Sequence, residues 1–240
     1  KMRDIRAKEL EGIMNNLKGG HQLQTKLKTF WGQMFKYALE HDICQKDYSA
    51  FVKVRDKEPE TTRDAIPQDV IQRIWGEIDS GNDTAEIAMI YIYTGLRATE
   101  LLEVTKDKVF LDKRIMIAGK KTEAGKDRRI PLHRAILPFI EKRMNEEGDY
   151  LISLKKKTKV APMSYNHFQA NHWNVLMDKL GVQYTIHYAR HTLATLMREA
   201  GIDEDIRKLI LGHKNADITD RYTHHSDELL LNAIDKLAGR

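Results

Sequence analysis

The chain has 240 residues, enough for one large domain or two modest ones with cores of their own. Hydrophobic residues make up 41%, no apolar run approaches the roughly 20 residues of a membrane span, and the opening KMRDIRAKEL lacks the apolar core of a signal peptide, so a cytoplasmic protein without a membrane partner is expected. The single cysteine, Cys44, excludes an internal disulfide and a cysteine-rich zinc site, and the net charge of +5 sits in the first 57 residues, with twelve Lys/Arg against seven Asp/Glu.

Residues 58–240 balance to zero, so a small basic segment precedes a larger neutral one. That arrangement suits a DNA-gripping module joined to a domain with a more specific task, although solvated surface lysines account for the same surplus. Leu23, Leu27, Phe30, Trp31, Met34, Phe35 and Ala38 recur at helical spacing and predict an amphipathic helix over 21–40. Shorter helical stretches flank it, making 1–57 a small all-helical domain, opened inside a helical pattern without a capping residue. DKEPETTRDAIP carries charge, two prolines and no apolar period, which is the composition of a linker, placed at 58–66.

From Pro67 the helical pattern resumes through Val70, Ile71, Ile74, Trp75 and Ile78, and a more buried helix runs from about Asp83 to Thr94, ending at Gly95. Between 108 and 131 the pattern changes to three strands, KVFL, RIMIA and RRIPL, the last two separated by the lysine-rich tract KKTEAGKD. Helices return from His133 onward, with Gly201 and Gly212 at C-cap positions and Asp203, Asp217 and Ser226 at N-cap positions. The fold class expected is therefore mainly α with a small antiparallel sheet, in two domains, the second spanning 67–240.

The chemistry concentrates in a few places. IHYARH sets His187, Arg190 and His191 at i, i+3 and i+4 on one helical face, near the positive end of the helix dipole, where a phosphate is the natural occupant. Taken singly, each of these side chains is equally at home in a helix–helix interface. His187 and His191 are also spaced like paired zinc ligands, but no acidic residue follows His187 as the metalloprotease motif requires, and no metal is expected. LGHKNADITDRYTHH adds His213 after a helix end and Tyr222 nine residues later, while YTGLRATELLEV places Arg97 just past the glycine that ends the buried helix.

In this order and spacing, TGLRATEL, KKTEAGKDRRIPL, HYARH, LGH and DITDRYTH resemble the tyrosine recombinase (phage integrase) family over about 64–240, most of all integrases of phages and conjugative transposons. The helical 1–57 resembles the family's core-binding domain; the family's further arm-binding domain is not represented. The resemblance implies site-specific DNA cleavage and rejoining through a covalent 3′-phosphotyrosine, without cofactor, in the integration or excision of a mobile element. Arg97 and Arg190 would clamp the scissile phosphate, His187 and His213 would add hydrogen bonds to it, and Tyr222 would attack phosphorus. Lys121 would protonate the leaving 5′-hydroxyl, with Lys120 the alternative.

Glu100, one turn after Arg97, is expected either to orient it or to pair with a surface base, and His191 to support the site from beside His187. Lys26, Lys28, Lys36, Lys120, Lys126, Lys155, Lys156 and Lys157 are candidate DNA phosphate contacts. The partners implied are double-stranded DNA at specific sites, three further copies of the chain in a tetramer, and an accessory directionality factor. SDELLLNAIDKLAGR carries Leu229, Leu230, Ala233, Ile234 and Leu237 on one stripe; such a helix can pack on its own domain, and the resemblance implies docking into a neighbouring subunit. Two rivals remain: a monomeric DNA-relaxing topoisomerase of the same chemistry, and a non-catalytic DNA-binding module of the same fold.

Overall fold

The computed structural model describes residues 1–56, 65–119, 127–153, 162–212 and 227–239. The chain divides into two compact units, Lys1–Thr62 and Arg63–Arg240. Among the described residues no helix is long and apolar enough to cross a membrane. Lys120, Lys121, Lys126, Lys155, Lys156, Lys157, His213 and Tyr222, like the N-caps expected at Asp217 and Ser226, lie outside the described residues.

In the first unit α1 (Ala7–Asn16) and α2 (His21–Glu40) are followed by a 3-10 turn at Ser49–Phe51. Leu10, Met14, Trp31, Phe35 and Val52 form its core. Gln24, 1% exposed, ties the unit together: its amide donates to the Met14 carbonyl at 3.1 Å and accepts from the Arg55 N–H at 2.9 Å. α2 falls where the periodicity places it, but its expected apolar face is only half used. Trp31, Phe35 and Ala38 are buried, whereas Leu23, Phe30 and Met34 are exposed. The reason is geometric: the apolar residues cover a wider arc than α1 and the short 3-10 turn can occupy.

The second unit begins with α3 (Gln68–Asp79), which buries Val70, Ile71, Ile74 and Trp75, and α4 (Asp83–Thr94). Ile87 through Thr94 are all at most 3% exposed, because α4 is apolar around its whole circumference and runs through the centre of the unit. Asn82 caps it, accepting from the Thr84 N–H at 3.1 Å, and Gly95 ends it at φ 60°. A short α5 (Ala98–Leu102) leads into a three-stranded antiparallel sheet of β1 (Val109–Phe110), β2 (Ile115–Ala118) and β3 (Arg128–Pro131), in that order. Met116 pairs with Ile130 and Ala118 with Arg128, so these four share the buried face, and Arg129 points the other way. Pro131 lies on an edge strand, where its missing N–H costs nothing.

The remaining helices among the described residues are α6 (Leu137–Met144), α7 (Tyr165–Phe168), a π turn at Gln169–Trp173, α8 (Asn174–Lys179), α9 (Ile186–Glu199), α10 (Glu204–Leu211) and α11 (Asp227–Ile234). α9 packs along α4, and α10 and α11 close over β3. Within the single chain the apolar stripe of α11 is buried in its own unit, which is one of the two packings expected for it; docking into a neighbouring subunit belongs to the assembled protein. Leu230, Ala233, Ile234 and Leu237 are at most 5% exposed. Asp227 accepts from both Nε and Nη2 of Arg129, at 2.5 and 2.6 Å, and Asp235 pairs with Arg114 at 2.5 Å. The Tyr93 hydroxyl donates to the Ala238 carbonyl at 2.8 Å, and His133, stacked on Tyr93, reaches the Leu237 carbonyl at 3.2 Å. A stripe of this size left in water would cost more than these side chains lose by being fixed, so the nearest complementary groove takes it.

Candidate active site

Arg97 is placed by the end of α4. Gly95 turns the chain at positive φ, and a Cβ on it would lie 2.7 Å from Cδ2 of Leu193 on α9, so only glycine allows this close passage. Two residues on, Arg97 is the N-cap of α5. Its backbone N–H donates to Oε2 of Glu100 at 2.9 Å and its Nη1 donates to Oε1 at 2.7 Å. Glu100 thus bonds Arg97 through both its backbone and its side chain. The side chain of Arg97 keeps 31% exposure while that of Glu100 keeps 4%, so the guanidinium is the part of the pair that meets solvent.

Glu100 has a second partner that the sequence reading missed. Arg128, at the head of β3, donates from Nη2 to Oε2 at 2.9 Å and from Nη1 to Oε1 at 3.3 Å, and from Nε to the Ile210 carbonyl at 3.2 Å. A signal was available: with Ile130 apolar and inward, the alternation of a strand puts Arg128 on the same face. Burial would push the Glu100 carboxyl up, but the hydrogen bonds and charge of Arg128, and then the hydrogen bonds from Arg97, prevail and hold it at about 2.

Arg190 completes the cluster from α9. It is 6% exposed, donates from Nη1 to the Gly95 carbonyl at 2.8 Å, and grips the Leu211 carbonyl with Nη2. Burial first, then the charges of Arg97 and Arg128, lower its pKa to about 10, against the opposing pull of Glu100. It stays protonated at neutral pH, so among the described residues three guanidiniums face one carboxylate in partly dehydrated surroundings. That imbalance is relieved by an anion, and a donor set of N–H groups suits a phosphate and repels a metal cation.

His187 lies on the exposed first turn of α9, one turn before Arg190, and His191 is half-buried with its ring edge-on to His187 at 4.6 Å between centroids. The structure thus brings Arg97, Glu100 and Arg190 together and sets His187 and His191 side by side. Gly119 and Asp127, on either side of 120–126, meet: the Asp127 N–H donates to the Gly119 carbonyl at 3.1 Å, and Glu100, Gly119, Asp127 and Tyr150 line one cleft of about 260 Å³. Lys26 and Lys36 are exposed and Lys28 half-buried on α2. Lys26 and Lys28, two positions apart, stand about 200° from each other around the helix, so these three do not form one stripe.

Comparison with known proteins agrees with this geometry. The phage integrase family model matches residues 64–228. Tyrosine recombinase XerA of Pyrococcus horikoshii is 30% identical over 189 residues, covering 75% of this chain and 63% of the relative. A putative tyrosine recombinase XerC of Pseudomonas aeruginosa is 26% identical over 225 residues, covering 82% of this chain and 52% of the relative. The chain thus spans less than two thirds of the length of either. Among solved structures, the Tn1549 transposon integrase in complex with circular intermediate DNA superposes with a TM-score of 0.72 at 19% identity, over 94% of this chain and 83% of that one. A lambda integrase tetramer bound to a Holliday junction gives 0.71 at 18% identity, over 89% and 65%. These structural likenesses are likenesses of fold.

Proposed function

The chain belongs to the phage integrase family, and on that premise we propose that it is a tyrosine-type site-specific DNA recombinase, cleaving and rejoining strands through a 3′-phosphotyrosine in the service of a mobile element. The observation that carries this reading is that Arg97 and Arg190, from the TGLRATEL and HYARH motifs, come close enough to interact electrostatically, with Glu100 held between Arg97 and Arg128 of the hairpin motif. Arg97 and Arg190 hold the non-bridging oxygens of the scissile phosphate, and their fixed charge favours the pentacoordinate transition state, which is more negative than the ground state. His187 and His213 donate further hydrogen bonds to the same group. Tyr222 attacks phosphorus; a phenol with a reference pKa of about 10 needs those cations to reach its phenolate. Lys121 protonates the departing 5′-oxygen, with Lys120 the alternative on the same hairpin.

Each phosphodiester is exchanged for a phosphotyrosine ester of similar energy and then restored, so neither nucleotide nor metal enters the scheme. Two duplexes exchange four strands, which calls for four copies of the chain on the DNA. Residues 1–57 act as the core-binding domain, with Lys26, Lys28, Lys36 and the 155–157 lysines on phosphates, and a directionality factor chooses between integration and excision. The test is incubation with a nicked suicide duplex carrying the element's own junction, without magnesium, followed by a denaturing gel. Wild type is expected to give a covalent protein–DNA adduct and Tyr222→Phe none. An adduct that survives in Tyr222→Phe removes that nucleophile; binding to the junction with no adduct from wild type leaves a DNA-binding module instead.

A further inference from the structure

A guanidinium buried at the head of a strand needs a reason, since an apolar side chain there would pack beside Met116 and Ile130 at less cost. Arg128 is 8% exposed, and its fork meets both oxygens of Glu100, each of which also accepts from Arg97. Oε1 receives Nη1 of both arginines; Oε2 receives Nη2 of Arg128 and the backbone N–H of Arg97. Four donors occupy the four lone-pair sites of the carboxylate, so Glu100 is held from two sides and cannot rotate without losing bonds to one of them. The stem of Arg128 is fixed in turn. A Cβ on Gly212, at φ +65°, would lie 3.0 Å from Cδ and Nη1 of Arg128, and Nε binds the Ile210 carbonyl at the end of α10. Arg190 grips the next carbonyl, that of Leu211.

We propose that Arg128 is a positioning residue of the phosphate clamp, holding Glu100 in the one orientation that aims Arg97 while fixing the end of α10 against Arg190. This rests on the proposed recombinase chemistry for its readout. The donors of Arg128 go to Glu100 and to the Ile210 carbonyl, so it acts through Arg97 rather than on the phosphate. It joins β3 to both arginines of the clamp, to Arg97 through Glu100 and to Arg190 through the end of α10.

The experiment compares wild type, Arg128→Ala, Arg128→Lys, Arg97→Lys and the Arg128→Ala/Arg97→Lys double variant. The readouts are the rate of adduct formation at saturating suicide duplex, the affinity for that duplex and the melting temperature. Misaiming a clamp by an ångström costs on the order of 100-fold in rate, so Arg128→Ala is expected to lose about that factor, with DNA affinity within about threefold of wild type. In the Arg97→Lys background the same substitution is expected to cost less than about threefold, because the residue it positions is already gone. Arg128→Lys keeps the charge and the stem but not the fork; it is expected to fold as wild type and still lose about tenfold, and it carries the test where Arg128→Ala fails to fold. Multiplicative losses in the double variant, or full rescue by lysine, overturn the positioning role. If wild type forms no adduct, the recombinase reading fails by itself, and the positioning role is read from inorganic phosphate binding at the cluster: at least about fivefold weaker in Arg128→Lys if it holds, unchanged if it does not.

Discussion

Glu100 shows how one carboxylate can be structural and electrostatic at once. Its ordinary pKa of 4.5 falls to about 2 in the folded chain, with burial opposing and Arg128 and Arg97 prevailing. A carboxyl whose folded pKa is depressed adds stability above its unfolded pKa and loses it as pH falls through the folded one. Glu100 therefore contributes on the order of 3 kcal/mol at neutral pH, a contribution that fades between about pH 4.5 and 2. Urea midpoints followed from pH 6 to pH 2.5 are expected to fall more steeply for wild type than for Glu100→Gln. Other paired carboxylates, Asp83 and Asp235 among them, titrate in both proteins, so the difference between the curves isolates Glu100. Parallel curves would mean that the carboxylate is not held as described. Glu100 was legible in the sequence because one turn separates it from Arg97; its second partner was not, because Arg128 is 28 residues away, and strand alternation turns it inward without saying which acid it meets.

Among the elements, α2 separates what periodicity can and cannot say. The 3.6-residue repeat locates the helix, His21–Glu40, but gives no measure of how much of the apolar arc its neighbours will cover. Phe35 is 0% exposed and Phe30 55%, one at the centre of the core and one outside it. Phe35→Ala is expected to destabilise the first unit by about 3–5 kcal/mol, and Phe30→Ala to change it by no more than about 0.5 kcal/mol. Chemical denaturation followed through Trp31 fluorescence, in a chain with Trp75 and Trp173 replaced by phenylalanine, decides it. Equal losses would place Phe30 against something the unit does not itself supply. The sheet was easier to foresee: KVFL, RIMIA and RRIPL each form a strand, shortened at the ends where side chains leave the pleat.

For the whole molecule, the C-terminal helix bears on assembly. Leu230, Ile234 and Leu237 are each buried at about 2 kcal/mol, all within the chain's own second unit. Because the groove is filled by the same chain, the melting temperature of the free protein is expected not to change with protein concentration. A helix held by a second copy would make it rise with concentration, since folding and association would then be linked. A tetramer on DNA that exchanged this helix would first have to break the Asp227–Arg129 and Asp235–Arg114 pairs.

The sequence by itself determined the fold class, the places of the main helices and strands, and that Glu100 stands within one turn of Arg97. Each of these follows from residues within about one turn or one hairpin of each other, where local geometry leaves few choices. The motifs in order also carried the family. Only the tertiary structure decided which face of α2 is covered, that α11 packs on its own unit, and that Arg128 is the second hold on Glu100. Those three depend on surfaces and registers brought together from distant parts of the chain, and neither local periodicity nor local charge encodes the distance between them.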